Sequence, residues 1–262
     1  MIIDFHTHVF PEKIAEKGVN NIRSFYNLSS YEKGTISDLK KLSAEAGITQ
    51  VVVLAVAIRP ELVEAVNSFA ASILDDFIIG FGSIHAASRD KIDILEKSLT
   101  QGFKGIKIHP DMQGFPIDDS RMEPVYAWLS DHDMPISIHM GDPRYDFSHP
   151  KRLAAVLDAF PKLTVSAAHF GGFQHWEEAL TYLCGRPNVW MDTSSTISYI
   201  EDVSMARRIL DTHGYEHFLF GSDYPMANPK EELESLSLLN LTEQEREAIL
   251  YGNAKKLLKL KA

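Results

Sequence analysis

The chain has 262 residues, 45% hydrophobic and 24% charged, a composition that suits a soluble globular protein able to build a core without disulfide or metal staples. Its formal net charge of −10, with no basic cluster, argues against a nucleic-acid backbone as partner. No apolar run approaches the ~20 residues that span a bilayer, no secretory leader is seen, and the single cysteine, Cys184, has no internal partner, so a cytoplasmic location is expected.

One rhythm recurs along the chain: a short apolar run, a turn, then a segment of helical period. The apolar runs are Ile2–Phe5, Ile48–Val56, Phe77–Ile84, Phe103–Ile108, Pro135–His139, Leu163–His169, Asn188–Asp192 and Phe218–Ser222, eight in all. Val51–Leu54 is continuously apolar, as in a parallel strand buried on both faces. Between the runs, Thr35 caps a stripe of Ile36, Leu39 and Leu42 that Gly47 ends. Pro60 opens a second stripe with Leu62, Val63, Val66 and Phe69. Further stripes fall on Ile92, Leu95 and Leu99, on Val125 and Leu129, on Leu153, Val156, Leu157 and Phe160, on Leu180 and Leu183, and on Val203, Ala206 and Leu210. Thr242 and Glu245 have capping-box spacing before a long C-terminal helix. Residues 12–34 lack a strand and read as a helix plus a loop over the mouth.

Strands alternating with helices imply right-handed βαβ units, and eight of them imply a single α/β domain over 1–262, a closed (β/α)8 TIM barrel. An open doubly wound sheet is the other topology, but no Gly-x-Gly-x-x-Gly follows the first strand. In such barrels the active site lies at the carboxyl ends of the strands. Six of the 11 histidines fall there: His6 and His8, His85, His109, His139 and His169. Asp223 ends the eighth run, and Lys107 lies within the fourth. His6 and His8, two apart on a strand, point to one side, and a pair of neutral imidazoles there begins a divalent metal site. Two unrelated surface histidines are the bland alternative.

His-x-His on the first strand, single histidines after the fifth and sixth, and aspartate after the eighth form a pattern that resembles the amidohydrolase superfamily. The words Gly105-Ile-Lys-Ile-His-Pro110 and Gly221-Ser-Asp-Tyr-Pro225, with Gly252-Asn-Ala254 near the end, resemble its amidohydrolase-2 branch, which includes aminocarboxymuconate semialdehyde decarboxylase. The resemblance implies that His6, His8, His139 and Asp223 ligate one divalent ion, zinc in the first place, with manganese, iron or cobalt as alternatives. It implies that His169 stands beside the metal's water and that Asp223 also accepts its proton. Such an ion lowers the pKa of water from ~15.7 towards ~7. Lys107 raises the alternative of a carboxylated lysine bridging two metals, but it lies before the strand end.

Lys107, His109, Arg144 and His85 are the candidates for binding substrate. Arg144 on the loop after the fifth strand suits a bidentate clamp on a carboxylate, its alternative being a surface arginine paired with Asp142 or Asp146. Phe115, Phe170, Phe173 and Trp176 are candidates for the mouth, Asp4 for support of the first strand, and Cys184 reads as structural. The resemblance implies a metal-dependent hydrolase of an amide, lactone or other acyl bond in a small, anionic substrate. A non-oxidative decarboxylase of an aromatic or unsaturated acid is the alternative, and a TatD-type deoxyribonuclease a remote one, since the fourth strand lacks the glutamate ligand expected there. No membrane partner is expected, and a homo-oligomer is left open.

Overall fold

A computed structural model describes residues 1–27 and 32–260. Strands β1 (Ile3–Thr7), β2 (Gln50–Leu54), β3 (Ile78–Ser83), β4 (Gly105–Ile108), β5 (Ile136–Ile138), β6 (Val165–Ala167), β7 (Val189–Asp192) and β8 (Phe218–Leu219) pair in parallel in chain order. The last strand meets the first: Phe5 N–H donates to Phe220 O at 2.7 Å, Asp223 N–H to His6 O at 2.8 Å and His8 N–H to Tyr224 O at 2.7 Å. The expected (β/α)8 barrel therefore forms.

The helical layer consists of α1 (Ala15–Tyr26), α2 (Ile36–Glu45), α3 (Val63–Ser72), α4 (Lys91–Thr100), the short α5 (Pro110–Gln113), α6 (Glu123–Asp131), α7 (Pro150–Ala159), α8 (Trp176–Tyr182), α9 (Val203–His213), α10 (Pro229–Ser235), α11 (Glu243–Glu247) and α12 (Asn253–Leu257). Thr35 caps α2 through Asp38 N–H, and the Thr242–Glu245 capping box opens α11. The long C-terminal helix expected there is instead α11, a π-turn at Ala248–Gly252 and α12. After that turn the Asn253 amide donates to Tyr215 O and Phe218 O, both at 2.7 Å, which ties the helix to the start of β8. The helix expected within 12–34 is α1. Part of the loop expected after it, residues 28–31, lies outside the described residues.

Strand alternation sorts the core. Val52 and Leu54 cluster with Ile3, Phe5, Phe81, Trp190 and Leu219, while Val51 and Val53 join the larger cluster under the helices. The inward row across β3–β6 is different: Ser83, Lys107, Ser137 and Ser166 lie in register. β8 has two residues rather than the expected five; beyond it the chain keeps only single bonds to β1, and Asp223 adopts φ 63°.

His213 closes the last turn of α9 against β7. Its Nδ1 accepts from Gly185 N–H at 3.1 Å and its Nε2–H donates to Val189 O at 3.0 Å, so the neutral ring uses both nitrogens. Burial, with His217 beside it, pushes its pKa down to about 4. A folded-state value below the ordinary ~6.5 stabilises the fold above that pH, and the contribution is lost as pH falls from ~6.5 towards 4. The urea midpoint should therefore fall more steeply over that window in the natural chain than in His213→Asn. Equal slopes would show that His213 does not carry this linkage.

Candidate active site

The end of β1 and the residues after β8 build a cluster of three acceptor atoms. His6 Nε2 and His8 Nε2 are 3.2 Å apart, and Asp223 Oδ1 is 3.5 Å from the first and 3.6 Å from the second. Each ring is turned by a partner on its other nitrogen. His6 Nδ1–H donates to Asp192 Oδ2 at 2.9 Å, and His8 Nδ1–H donates to Leu54 O at 2.7 Å. Both Nε2 atoms thus carry lone pairs. Burial pushes the His6 pKa down to about 4 and that of His8 to about 3, so neither ring holds a second proton at neutral pH.

Three acceptors converging with no donor among them repel one another unless a cation sits between them. Ligands about 2.1 Å from a tetrahedral ion stand about 3.4 Å apart, close to the three separations found here. The residues therefore fit a divalent ion. The backbone is committed to this arrangement: Asp223 takes φ 63° and Ser195 φ 45°. Ser195 Oγ–H donates to Asp223 Oδ2 at 2.7 Å, which leaves Oδ1 facing the histidines. A Cβ on Gly221 would lie 2.7 Å from that of His6, so only glycine lets the two strand ends approach this closely.

A second set of rings adjoins the trio. His169 Nδ1–H donates to Ser194 O at 3.0 Å, which leaves Nε2 to accept from His139 Nδ1–H, also at 3.0 Å. His139 Nε2 lies 3.2 Å from the Tyr26 hydroxyl and 3.1 Å from Gly141 O, and the Tyr26 oxygen lies 2.8 Å from His109 Nε2. His109 Nδ1 in turn accepts from Met112 N–H. His109, Tyr26, His139 and His169 thus form one continuous row of hydrogen-bonding groups. His109 and His139 stack with centroids 3.8 Å apart, and the two cluster with Asp111. His139, expected as the fourth ligand, stands beside the trio with Nδ1 near His169 Nε2 and with Nε2 near the Tyr26 hydroxyl and Gly141 O.

The remaining candidates lie in different settings. Lys107 is fully buried, with Ser137 Oγ 3.4 Å from its ammonium, and burial pushes its pKa down to about 8 against the pull of Asp192 and Asp223. It points into the barrel because Ile106 and Ile108 take the outward positions. Arg144 forks onto Asp142 at 2.6 and 2.9 Å, covers the Phe25 ring at 4.3 Å and donates to Phe25 O. It thereby pins the C-terminal end of α1 and delivers Tyr26. His85 accepts from Ala87 N–H and contacts Gln113 O at 3.2 Å, closing a loop. Asp4 accepts from Ser222 N–H at 2.9 Å and Ser222 Oγ–H at 2.6 Å, and burial raises its pKa to about 7. The lone Cys184 is half-buried, and burial pushes its thiol up to about 12.

A cavity of about 600 Å³ opens above the histidines. His6, His8, His109, His139, His169 and Asp223 line its floor; Lys107, Arg144 and His85 do not. Of the four aromatics expected at the mouth, Phe173 lines it, whereas Phe115 and Phe170 are core residues and Trp176 donates to His169 O at 3.3 Å. Reading by motif missed Asp192, Ser194, Ser195 and Tyr26. The polar run Asp192–Ser195 at a strand end was the available signal for the first three.

A family model described as Amidohydrolase matches residues 3–260. Among solved structures, an uncharacterised TIM-barrel protein from Bordetella bronchiseptica is similar at a TM-score of 0.83 and 23% identity, covering 98% of each chain. A dihydroxybenzoic acid decarboxylase from Polaromonas sp. JS666, solved with manganese and the inhibitor 2-nitroresorcinol, is similar at 0.76 and 17%, covering 100% of this chain and 98% of that one. A putative 2-pyrone-4,6-dicarboxylic acid hydrolase from Pseudomonas putida is similar at 0.73 and 19%, with 100% and 98% covered. At these identities the likeness is one of fold.

Elemental analysis of dialysed protein should find about one divalent ion per chain. His6→Ala or Asp223→Asn should release it, and Tyr26→Phe should retain it. Two ions per chain, whether at the His109, Asp111 and His139 cluster or bridged by a carboxylated Lys107, would overturn the mononuclear assignment.

Proposed function

The chain belongs to the amidohydrolase family, and from that premise we propose that it is a metal-dependent hydrolase of an amide, lactone or other acyl bond in a small substrate. The observation that carries this reading is the acceptor trio of His6, His8 and Asp223 on the floor of a mainly apolar cavity. His6, His8 and Asp223 would hold a divalent ion, zinc or manganese, which would supply positive charge at the floor and make water available as a nucleophile near neutral pH. The mainly aliphatic and aromatic walls lower the local dielectric and so strengthen charge interactions at the floor.

The chain's own residues handle the protons. Asp223, its Oδ1 turned to the histidines and its Oδ2 held by Ser195, is the carboxylate that takes a proton from the attacking water. His169 lines the same cavity with its Nε2 3.0 Å from His139 Nδ1, and the proton shared by these two nitrogens is the one passed to the departing atom. His139, Tyr26 and His109 behind it provide the path by which that proton is replaced. Asp192 and Leu54 O keep the two metal-facing rings in the required tautomers. The carboxylate clamp expected of Arg144 passes to other groups, since Asp142 and Phe25 already engage its guanidinium. An anionic substrate group would meet the ion and Lys17, the one lysine or arginine among the described residues that line the cavity. We place the enzyme in the cytoplasm on its single cysteine.

Decarboxylation is the second reading, supported by apolar walls that suit an arene and by the fold shared with the dihydroxybenzoic acid decarboxylase. The fate of water separates the two. Turnover in heavy-oxygen water should place one labelled oxygen in the organic product of hydrolysis. Carbon dioxide release with an unlabelled organic product would establish the decarboxylase instead. In either case His169→Asn should keep the ion yet lose roughly two orders of magnitude in turnover, as for a positioned acid–base group. Loss of the ion in that variant would make His169 a ligand.

A further inference from the structure

The cavity is longer than its histidine floor requires. One wall is a stripe of Ile14, which caps α1, with Gly18 and Ile22 on the helix, at four-residue spacing and ending on Tyr26. Another comes from α3 and the turn before it, with Leu62, Val66 and Phe69 at spacings of four and three. The cavity also reaches Val53 and Ala70, each only 2% exposed. Val53 lies on the outer face of β2, since Val52 and Leu54 belong to the inner cluster. The space therefore passes from the reaction centre over the end of β2 and into the gap between the sheet and the helical layer. Ile14 and Ile58, 51% and 37% exposed, are exposed along this same slot.

Two apolar helix stripes left apart forgo burial that each could gain by packing. We propose that the slot binds an unbranched apolar tail, an alkyl or acyl chain carried by the substrate whose carbonyl reacts above His6, His8 and Asp223. Continuity selects this occupant: the slot and the histidine floor are one cavity, and its inner walls at Val53 and Ala70 lie too deep for another folded protein to reach. The walls are aliphatic for most of their length, and the route bends over a strand end, which a flexible chain follows and a rigid fused ring does not. The proposal rests on the reading of the site as a centre that cleaves acyl bonds, for which a straight-chain carboxylate is a product analogue.

The test is calorimetric titration of the zinc-loaded protein with butyrate, hexanoate and octanoate. Burial of each methylene at its full transfer value lowers Kd about fourfold, so octanoate should bind at least tenfold more tightly than butyrate. Ala65→Trp on the wall of α3 and Ile22→Arg on α1 each reach the slot from a different helix, and each should abolish that advantage. Affinity independent of chain length, or an advantage that survives both substitutions, would overturn the proposal. The same series on metal-stripped protein separates the two ideas. A chain-length advantage with no response to zinc would retain the slot and remove the reaction-centre reading. Zinc-dependent binding with no chain-length advantage would do the reverse.

Discussion

Closure of β1 onto β8 is the constraint from which the candidate active site follows. His6 and His8 stand at one end of the chain and Asp223 near the other, and they meet only because the barrel shuts between them. The seam is held by main-chain bonds and by Asp4, whose buried carboxylate accepts both the amide and the hydroxyl of Ser222. A buried carboxyl is costly unless it is satisfied, and satisfying Asp4 requires Ser222, the neighbour of Asp223, to sit in one place. The cost of burying Asp4 thus fixes the position of the ligand next to its partner.

The same logic operates one layer out. Asp192 and Leu54 O set the tautomers of His6 and His8, so that lone pairs rather than protons converge. Asp142 and the Phe25 carbonyl hold Arg144, and Arg144 holds the end of α1, which carries Tyr26 into hydrogen-bonding reach of His109 and His139. Helix α1 accordingly has two duties. Its last residue completes the row of rings, and its apolar stripe walls the slot that leads away from them.

The barrel was legible in the sequence because eight apolar runs alternating with helical stripes admit few topologies. The floor of the site was legible in part, since His6 and His8 share a face by strand alternation alone and the other histidines end strands. The parts that escaped are those set by distant partners. Nothing near Arg144 in sequence shows that it binds the end of α1, and Asp142, two residues away, is where local reading stops. Tyr26 is one tyrosine among nine until the fold brings it to His139. The orientation of the His139 ring depends on His169 and Tyr26 together, and spacing carries no information about ring rotation. The brevity of β8 and the left-handed turn at Asp223 also escape a reading of apolar runs, which marks where a strand is apolar but not where its ladder ends.

The central claim is that three acceptors from the two ends of the barrel share one ion. Anomalous diffraction from crystals of the metal-loaded protein, recorded at the absorption edge of the added zinc or manganese, measures this directly. The account expects a single strong peak within bonding distance of His6 Nε2, His8 Nε2 and Asp223 Oδ1. A peak centred instead among His109, Asp111 and His139, or no peak between the three acceptors in crystals grown with the ion, would contradict it.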